Sequence, residues 1–255
     1  MDTIKLQKGT TQMVAHAALQ GLETQNTLAG VIAAGNRSHW GIEVDVRITK
    51  DGEAVLIHNS STLAVSGVDM EVADSTLEEL QSLRLYDSPM FYGMEAYGLK
   101  QEFTVTRSDL RIPTFEEYIR ICKHYGKIAV VELKSKMTPE NITHILDIVR
   151  AHDYLERVVF IDFCWEDLEE VRRQSPGQTV QFLTGEKHDF TDEFLDKVAA
   201  AGFDLDIHIF TTTKELVERI HSRGIKVNVW TCDHIDRAAE LVEWGVDYIT
   251  SNILE

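Results

Sequence analysis

Glu43 and Asp45 stand two residues apart in the run Gly41-Ile42-Glu43-Val44-Asp45-Val46-Arg47-Ile48. Ile42, Val44, Val46 and Ile48 alternate with polar residues, the period-two pattern of a β-strand, so both carboxylates share one face. Side chains two apart on a strand are separated by roughly 7 Å at the backbone, near enough to grip one hard cation. An edge strand with a solvated acidic face would show the same alternation, so the pair matters only in company. That company is Glu132 and Lys134, also two apart, in Ile128-Ala129-Val130-Val131-Glu132-Leu133-Lys134, with His16 and His58, each closing a short apolar run. Glu43, Asp45 and Glu132 together make an oxygen cage for Mg²⁺ or Ca²⁺; zinc would ask for His and Cys ligands, and no such cluster exists. His16 and His58 have the side chain suited to acid–base work near neutral pH.

These residues need elements to hold them, and the chain supplies a regular series. Lys50-Asp51-Gly52-Glu53 is a hairpin signal, because Asp and Gly tolerate positive φ, and Val55-Leu56-Ile57 returns from it to His58. Residues 59–110 are less regular and read as an inserted loop or small subdomain, with a short helix through Leu77, Leu80 and Leu83 capped from Asp74-Ser75-Thr76. From Arg111 onward strands and helices alternate strictly. Pro113-Thr114 opens a helix carrying Phe115, Tyr118, Ile119 and Cys122, and Thr138-Pro139 starts another with the buried stripe Ile142, Ile145, Leu146 and Val149. Strands are expected at 128–134, 158–162, 179–183, 203–208, 226–230 and 247–250. Gly202, Gly224 and Gly245 recur at nearly equal intervals, each ending a helix before an apolar run. So many βα units imply an α/β fold in which a parallel sheet closes into a single-domain (β/α)₈ TIM barrel over residues 1–255. An open doubly wound sheet would want a Gly-rich fingerprint after the first strand, and His16-Ala17-Ala18 is nothing of that kind. In a barrel the C-terminal strand ends carry the chemistry, which places His16, Glu43, Asp45, His58, Glu132, Lys134, Asp162, Asp206, His208, Asn228 and Trp230 at one mouth.

Composition narrows the partners. The 255 residues are 44% hydrophobic, ample for a core, and the formal net charge of −17 disfavours nucleic acid and anionic membrane surfaces. Three scattered cysteines, Cys122, Cys164 and Cys232, match no metal spacing and point to reduced thiols in a cytoplasmic protein. Neither a signal peptide nor a membrane-spanning run is apparent.

Taken together, the motifs resemble those of the glycerophosphodiester phosphodiesterases. His16 with Gln25-Asn26-Thr27 resembles that family's opening His and E-N-T signature, and Ile42 through His58 matches its main signature almost residue for residue. Arg111-Ile112-Pro113-Thr114-Phe115-Glu116-Glu117, Val131-Glu132-Leu133-Lys134, Val229-Trp230-Thr231 and Gly245-Val246-Asp247-Tyr248-Ile249-Thr250 resemble later blocks, in order. The resemblance implies a divalent cation at Glu43, Asp45 and Glu132, an acid and base pair at His16 and His58, and Lys134 near the phosphate of a small-molecule phosphodiester; Trp230, from its place at a strand end of the same mouth, is read as a substrate-binding residue, with a core role the alternative. The implied reaction is hydrolysis of a glycerophosphodiester to sn-glycerol 3-phosphate and an alcohol; alternatives are a lyase stopping at a cyclic phosphate and a non-catalytic phosphate binder. The family's usual His-Arg-Gly opening is His16-Ala17-Ala18 here, and three further positions depart from the pattern. Ala17 replaces the Arg that helps hold phosphate, Gln25 an acidic residue, Asn59 an Asp and Asp162 a Ser. Losing a bidentate Arg alters the phosphate grip, since Lys offers only a point charge.

Overall fold

The computed structural model describes residues 2–90, 92–97, 105–185 and 187–255. Its strands are β1 (Gln12–Ala15), β2 (Gly41–Ile48), β3 (Ala54–Leu56), β4 (Ile128–Leu133), β5 (Val158–Asp162), β6 (Thr179–Thr184), β7 (Asp204–His208), β8 (Val227–Trp230) and β9 (Tyr248–Ser251). All but β3 run parallel, in the order β2-β4-β5-β6-β7-β8-β9-β1, and β1 pairs back onto β2 through Val14↔Gly41 and Ala15↔Ile42. The sheet is therefore a closed eight-stranded barrel. β1 is short and leaves the upper edge of β2 free; β3 occupies that edge antiparallel, through Val46↔Leu56 and Ile48↔Ala54. The Ile57 N–H also donates to the Asp45 carbonyl at 2.9 Å, and this carries His58 to the barrel mouth.

The helices are α1 (Leu28–Gly35), α2 (Leu63–Ser66), α3 (Leu77–Gln81), α4 (Phe115–Tyr125), α5 (Pro139–Ala151), α6 (Trp165–Gln174), α7 (Asp192–Ala201), α8 (Lys214–His221) and α9 (Ile235–Glu243). Local chemistry sets their starts. Thr114 caps α4 in a reciprocal box with Glu117, Thr76 does the same for α3 with Glu79, and Thr138 caps α5 ahead of Pro139. Gly202, Gly224 and Gly245 all take positive φ, as an end to each helix requires.

Strand alternation sorts the apolar residues into two layers. Val44, Val46, Val131, Leu133 and Phe160 face the surrounding helices, whereas Val14, Ile128, Val130, Val159, Ile161 and Leu183 fill the lumen. A polar layer, with Asn228 donating to Gln181 at 3.2 Å and accepting from Thr250 at 3.1 Å, spans the lumen among them. The segment after β3 builds a small cluster of its own from Val65, Val72, Leu80, Leu83, Leu85, Leu110 and Ile112 against Val55 and Ile57. Residues 91 and 98–104 of that segment lie outside the described residues.

Candidate active site

Above the lumen lies a cavity of about 100 Å³ lined by His16, Glu43, His58, Glu132, Lys134, Ile161, Phe163, Leu183, Asp206, Trp230 and Thr250. Glu43 and Asp45 point inward from β2, and Glu132 does so from β4, where it pairs with Asp45 across the sheet. Carboxylate oxygens of the three lie within 4.8 Å of one another, and exposures of 2%, 1% and 8% exclude a merely solvated acidic face. Each is oriented by a separate partner. The Ala17 N–H donates to Glu43 Oε2 at 2.6 Å, and Asn26 Nδ2 donates to Asp45 Oδ2 at 2.7 Å. The Asp45 N–H returns a bond of 2.9 Å to Asn26 Oδ1. Lys134 Nζ bridges the rest, 3.1 Å from Asp45 Oδ1 and 2.6 Å from Glu132 Oε1.

One ammonium cannot balance three buried carboxylates. Burial, and then the Asp45 and Glu132 charges, push the Glu43 carboxyl well above its usual range. Burial and Asp45 push Glu132 up to about 7. At Asp45 burial acts in the same direction, but Lys134 and the neighbouring histidines outweigh it and hold this carboxyl low. Glu43 Oε1 is buried with no hydrogen-bond partner among the described residues. A hard divalent cation fits this donor set: it would occupy oxygens with unused lone pairs and relieve their mutual repulsion.

The chain around His16 is bent into this role. Ala17, Ala18 and Leu19 have φ of 43°, 60° and 64°, a left-handed run that turns the Ala17 N–H onto Glu43. Gly30 makes the turn possible, because a Cβ there would meet the Ala18 carbonyl oxygen at 2.0 Å. The Ala17 methyl is buried and absent from the cavity wall, so the position gives the site a backbone donor. Arg47 does not replace the missing guanidinium: its Nε and Nη2 donate to the His58 carbonyl at 3.0 and 2.8 Å, and Nη1 reaches Ser135.

His16 is half-buried and His58 exposed, both on the wall of the same cavity. His16 Nδ1 lies 2.6 Å from Asn252 Oδ1, while Asn252 Nδ2 donates to Asp233 Oδ2 at 2.7 Å. That network makes Oδ1 the acceptor, places the proton on Nδ1 and leaves Nε2 free to take another. Burial holds the His16 pKa below its usual value, favouring the neutral ring. His58 Nδ1 meets Asn59 Oδ1 at 2.7 Å in the same manner.

Across the cavity Phe163 packs edge-on to Trp230, with ring centroids 5.8 Å apart. Asp206 faces the cavity from β7, whereas Asp162 does not: Ile161 and Phe163 are its inward neighbours, and its Oδ1 accepts from the Cys164 N–H at 2.8 Å. Asp206 Oδ1 and Trp230 Nε1 are both buried without hydrogen-bond partners among the described residues. His208 lies beyond Trp230, outside this cavity, and Asn228 sits below it in the polar layer. Asn252 and Asp233 were not among the residues singled out by spacing. They lie in the last turns after β8 and β9, and nothing local marks Asn252 as the partner of a histidine 236 positions away.

Residues 16–254 match the model of the glycerophosphoryl diester phosphodiesterase family. The chain belongs to that family. It is similar to glycerophosphodiester phosphodiesterases of Caldanaerobacter subterraneus subsp. tengcongensis, at 25% identity over 95% of this chain and 94% of the relative, and of Bacillus subtilis, at 25% identity over 94% and 82%. Among solved structures, one from Silicibacter pomeroyi, described as a putative glycerophosphoryl diester phosphodiesterase, superposes with a TM-score of 0.80 at 26% identity, covering 95% of this chain and 90% of its own. An Oleispira antarctica phosphodiesterase, solved with the product sn-glycerol-3-phosphate, gives a TM-score of 0.81 at 23% identity over 95% and 93%. The barrel is therefore that of the glycerophosphodiester phosphodiesterases, and the chain is an enzyme of that class. Among the described residues no helix is long and apolar enough to cross a membrane.

Proposed function

We propose that this glycerophosphodiester phosphodiesterase hydrolyses its substrates to sn-glycerol 3-phosphate and an alcohol, with Mg²⁺ or Ca²⁺ held by Glu43, Asp45 and Glu132. The observation that carries the reading is the convergence of those three buried carboxylates on a cavity that both histidines also line. A divalent cation bound there would neutralise a phosphoryl oxygen and acidify a nearby hydroxyl. His16, neutral and with Nε2 unprotonated, takes the proton of the attacking hydroxyl. His58, open to solvent, gives a proton to the departing alkoxide as its P–O bond breaks, and regains one from water. Lys134 supplies the ammonium next to the phosphate, and the Ala17 N–H keeps Glu43 aimed.

The nucleophile is the glycerol 2-hydroxyl, which forms a cyclic phosphate that water then opens with the two histidines exchanging roles. The product complex of the Oleispira relative supports sn-glycerol 3-phosphate as the end point. Three unpaired cysteines, two of them buried, fit a reducing, cytoplasmic setting.

³¹P NMR of glycerophosphocholine turnover with Mg²⁺ or Ca²⁺ tests the reading. A cyclic phosphate signal that rises and then gives way to sn-glycerol 3-phosphate is expected. A cyclic product that persists would make the enzyme a lyase, and no new phosphorus signal with either ion would leave a binding protein.

A further inference from the structure

A second cavity, of about 300 Å³, lies between the β2–β3 hairpin and the start of α5 and shares no lining residue with the reaction cavity. Its polar lining includes Arg47, Lys50, Ser60, Ser135, Lys136 and Asn141. Three cations and no carboxylate line it, in a chain with 42 Asp and Glu against 25 Lys and Arg. Local backbone geometry contributes to this. On an extended strand Lys134 and Lys136 would share one face, but Ser135 takes a left-handed φ of 63° between them. Lys134 therefore lines the reaction cavity and Lys136 the cationic one. Lys50 and Lys136 are exposed, and neither ammonium is hydrogen-bonded among the described residues. Arg47 links the two cavities: Nε and Nη2 hold the His58 carbonyl, and Nη1 reaches Ser135 Oγ at 3.3 Å.

We propose that this cationic cavity binds a phosphomonoester dianion, and that the bound anion slows turnover by drawing Arg47 off the His58 carbonyl. The effect on turnover rests on the phosphodiesterase reading above; the binding does not. Two ammonium groups and a guanidinium suit a doubly charged, many-oxygened ligand, because Arg offers paired N–H donors and Lys a point charge. Ser60 and Asn141 add neutral donors, and the N-terminal end of α5 favours negative charge. Asp45, Glu132 and Glu71 also act on Arg47, but from outside the lining of this cavity. A phosphate oxygen is a stronger acceptor than a neutral carbonyl, so the guanidinium turns toward it. His58 then loses the tether that fixes its backbone beside the reaction cavity. The proposed product, sn-glycerol 3-phosphate, is itself a phosphomonoester, so the site would read product as well as free phosphate.

Inorganic phosphate is the first probe, with ionic strength constant and the divalent ion saturating. It should lower kcat for glycerophosphocholine rather than only raise KM. Lys50→Ala combined with Lys136→Ala should leave the phosphate-free rate within about twofold and raise the phosphate concentration that halves kcat by about tenfold or more. sn-Glycerol 3-phosphate should lower kcat in the same way and also compete at the reaction cavity; in the double variant only the competition should remain. An effect on kcat from inorganic phosphate alone would uphold the site and name free phosphate as its ligand. Purely competitive inhibition by both anions, a rise in kcat, or a kcat effect unchanged in the double variant would overturn it. If no diester is turned over, the phosphodiesterase reading fails by itself, and the site is judged on the ¹H–¹³C signals of the histidine rings. Phosphate should shift the His58 signal, assigned with His58→Ala, in the unaltered protein and not in the double variant. No shift, or the same shift in both, would overturn the site.

Discussion

The two walls of the barrel mouth are built in opposite ways. On the β1, β2 and β4 side, three carboxylates, a lysine and His16 are tied by short hydrogen bonds to Ala17, Asn26 and Asn252, and every charged group has at least one partner. On the β5 to β8 side, Ile161, Phe163, Leu183 and Trp230 form an apolar face whose charged member, Asp206, is buried without a hydrogen bond. The first wall is organised against its own repulsion, which costs folding free energy unless a cation compensates. The second sacrifices little except at Asp206 and the Trp230 Nε1, and presents rings and methyl groups to whatever the first wall holds. Charged and apolar groups are thus divided between the two sides of one cavity.

Substitutions should expose that division, most strongly on the charged side. Glu132→Gln removes a proposed cation ligand, and His58→Ala a proposed acid–base group; each should lower kcat by at least ~10²-fold, measured at saturating substrate and metal. Leu183→Ala, on the apolar side, should change kcat by much less, and an equal loss there would erase the distinction. Asn252→Ala leaves the His16 ring untethered and should cost about 10–100-fold, with the acidic limb of the pH–rate profile displaced. Asp206→Leu should raise the unfolding free energy by about 1–3 kcal/mol in urea melts at pH 8, because it removes a buried carboxyl with an unused oxygen. Lower stability would mean that Asp206 has a partner in solution.

Asp162, behind the apolar wall, gives the finest test. Burial, then Asp167 and Glu132, raise its pKa from 3.8 to about 8, so between those values the folded state holds a proton that the unfolded state has released. The contribution of Asp162 is therefore greatest at low pH and is lost as pH rises toward 8. Asp162→Asn keeps the acceptor for the Cys164 N–H. Relative to the unaltered protein it should gain up to about 1.4 kcal/mol per pH unit between pH 5 and 8. A flat difference would show that Asp162 ionises normally.

Much of this was legible in the sequence, because period two and strand-end position are local signals. They placed Glu43, Asp45 and Glu132 on inward faces, and the barrel itself followed from repeated βα units. The same alternation, taken one residue further, separates Asp162 from Ile161, which simply counting polar strand ends does not do. Other features depend on closure. The Asn252–Asp233 support of His16 exists only once β9 lies beside β1, and no spacing rule links positions so far apart. Asn26 carried a motif signal, but its grip on both the backbone and side chain of Asp45 required the fold. The segment after β3 was the least legible: its cap Thr76 gave away the helix Leu77–Gln81, but one as short as Leu63–Ser66 is too brief to display a period.

If the charged wall works as a cation-dependent phosphodiesterase centre, turnover must follow the cation. The most direct measurement is the initial rate of glycerophosphocholine cleavage after the enzyme is stripped with EDTA, then resupplied with Mg²⁺ or Ca²⁺. No measurable turnover is expected in the stripped enzyme, with restoration by at least one of the two ions and none in Glu132→Gln. Full activity in EDTA, or equal recovery in Glu132→Gln, would contradict it.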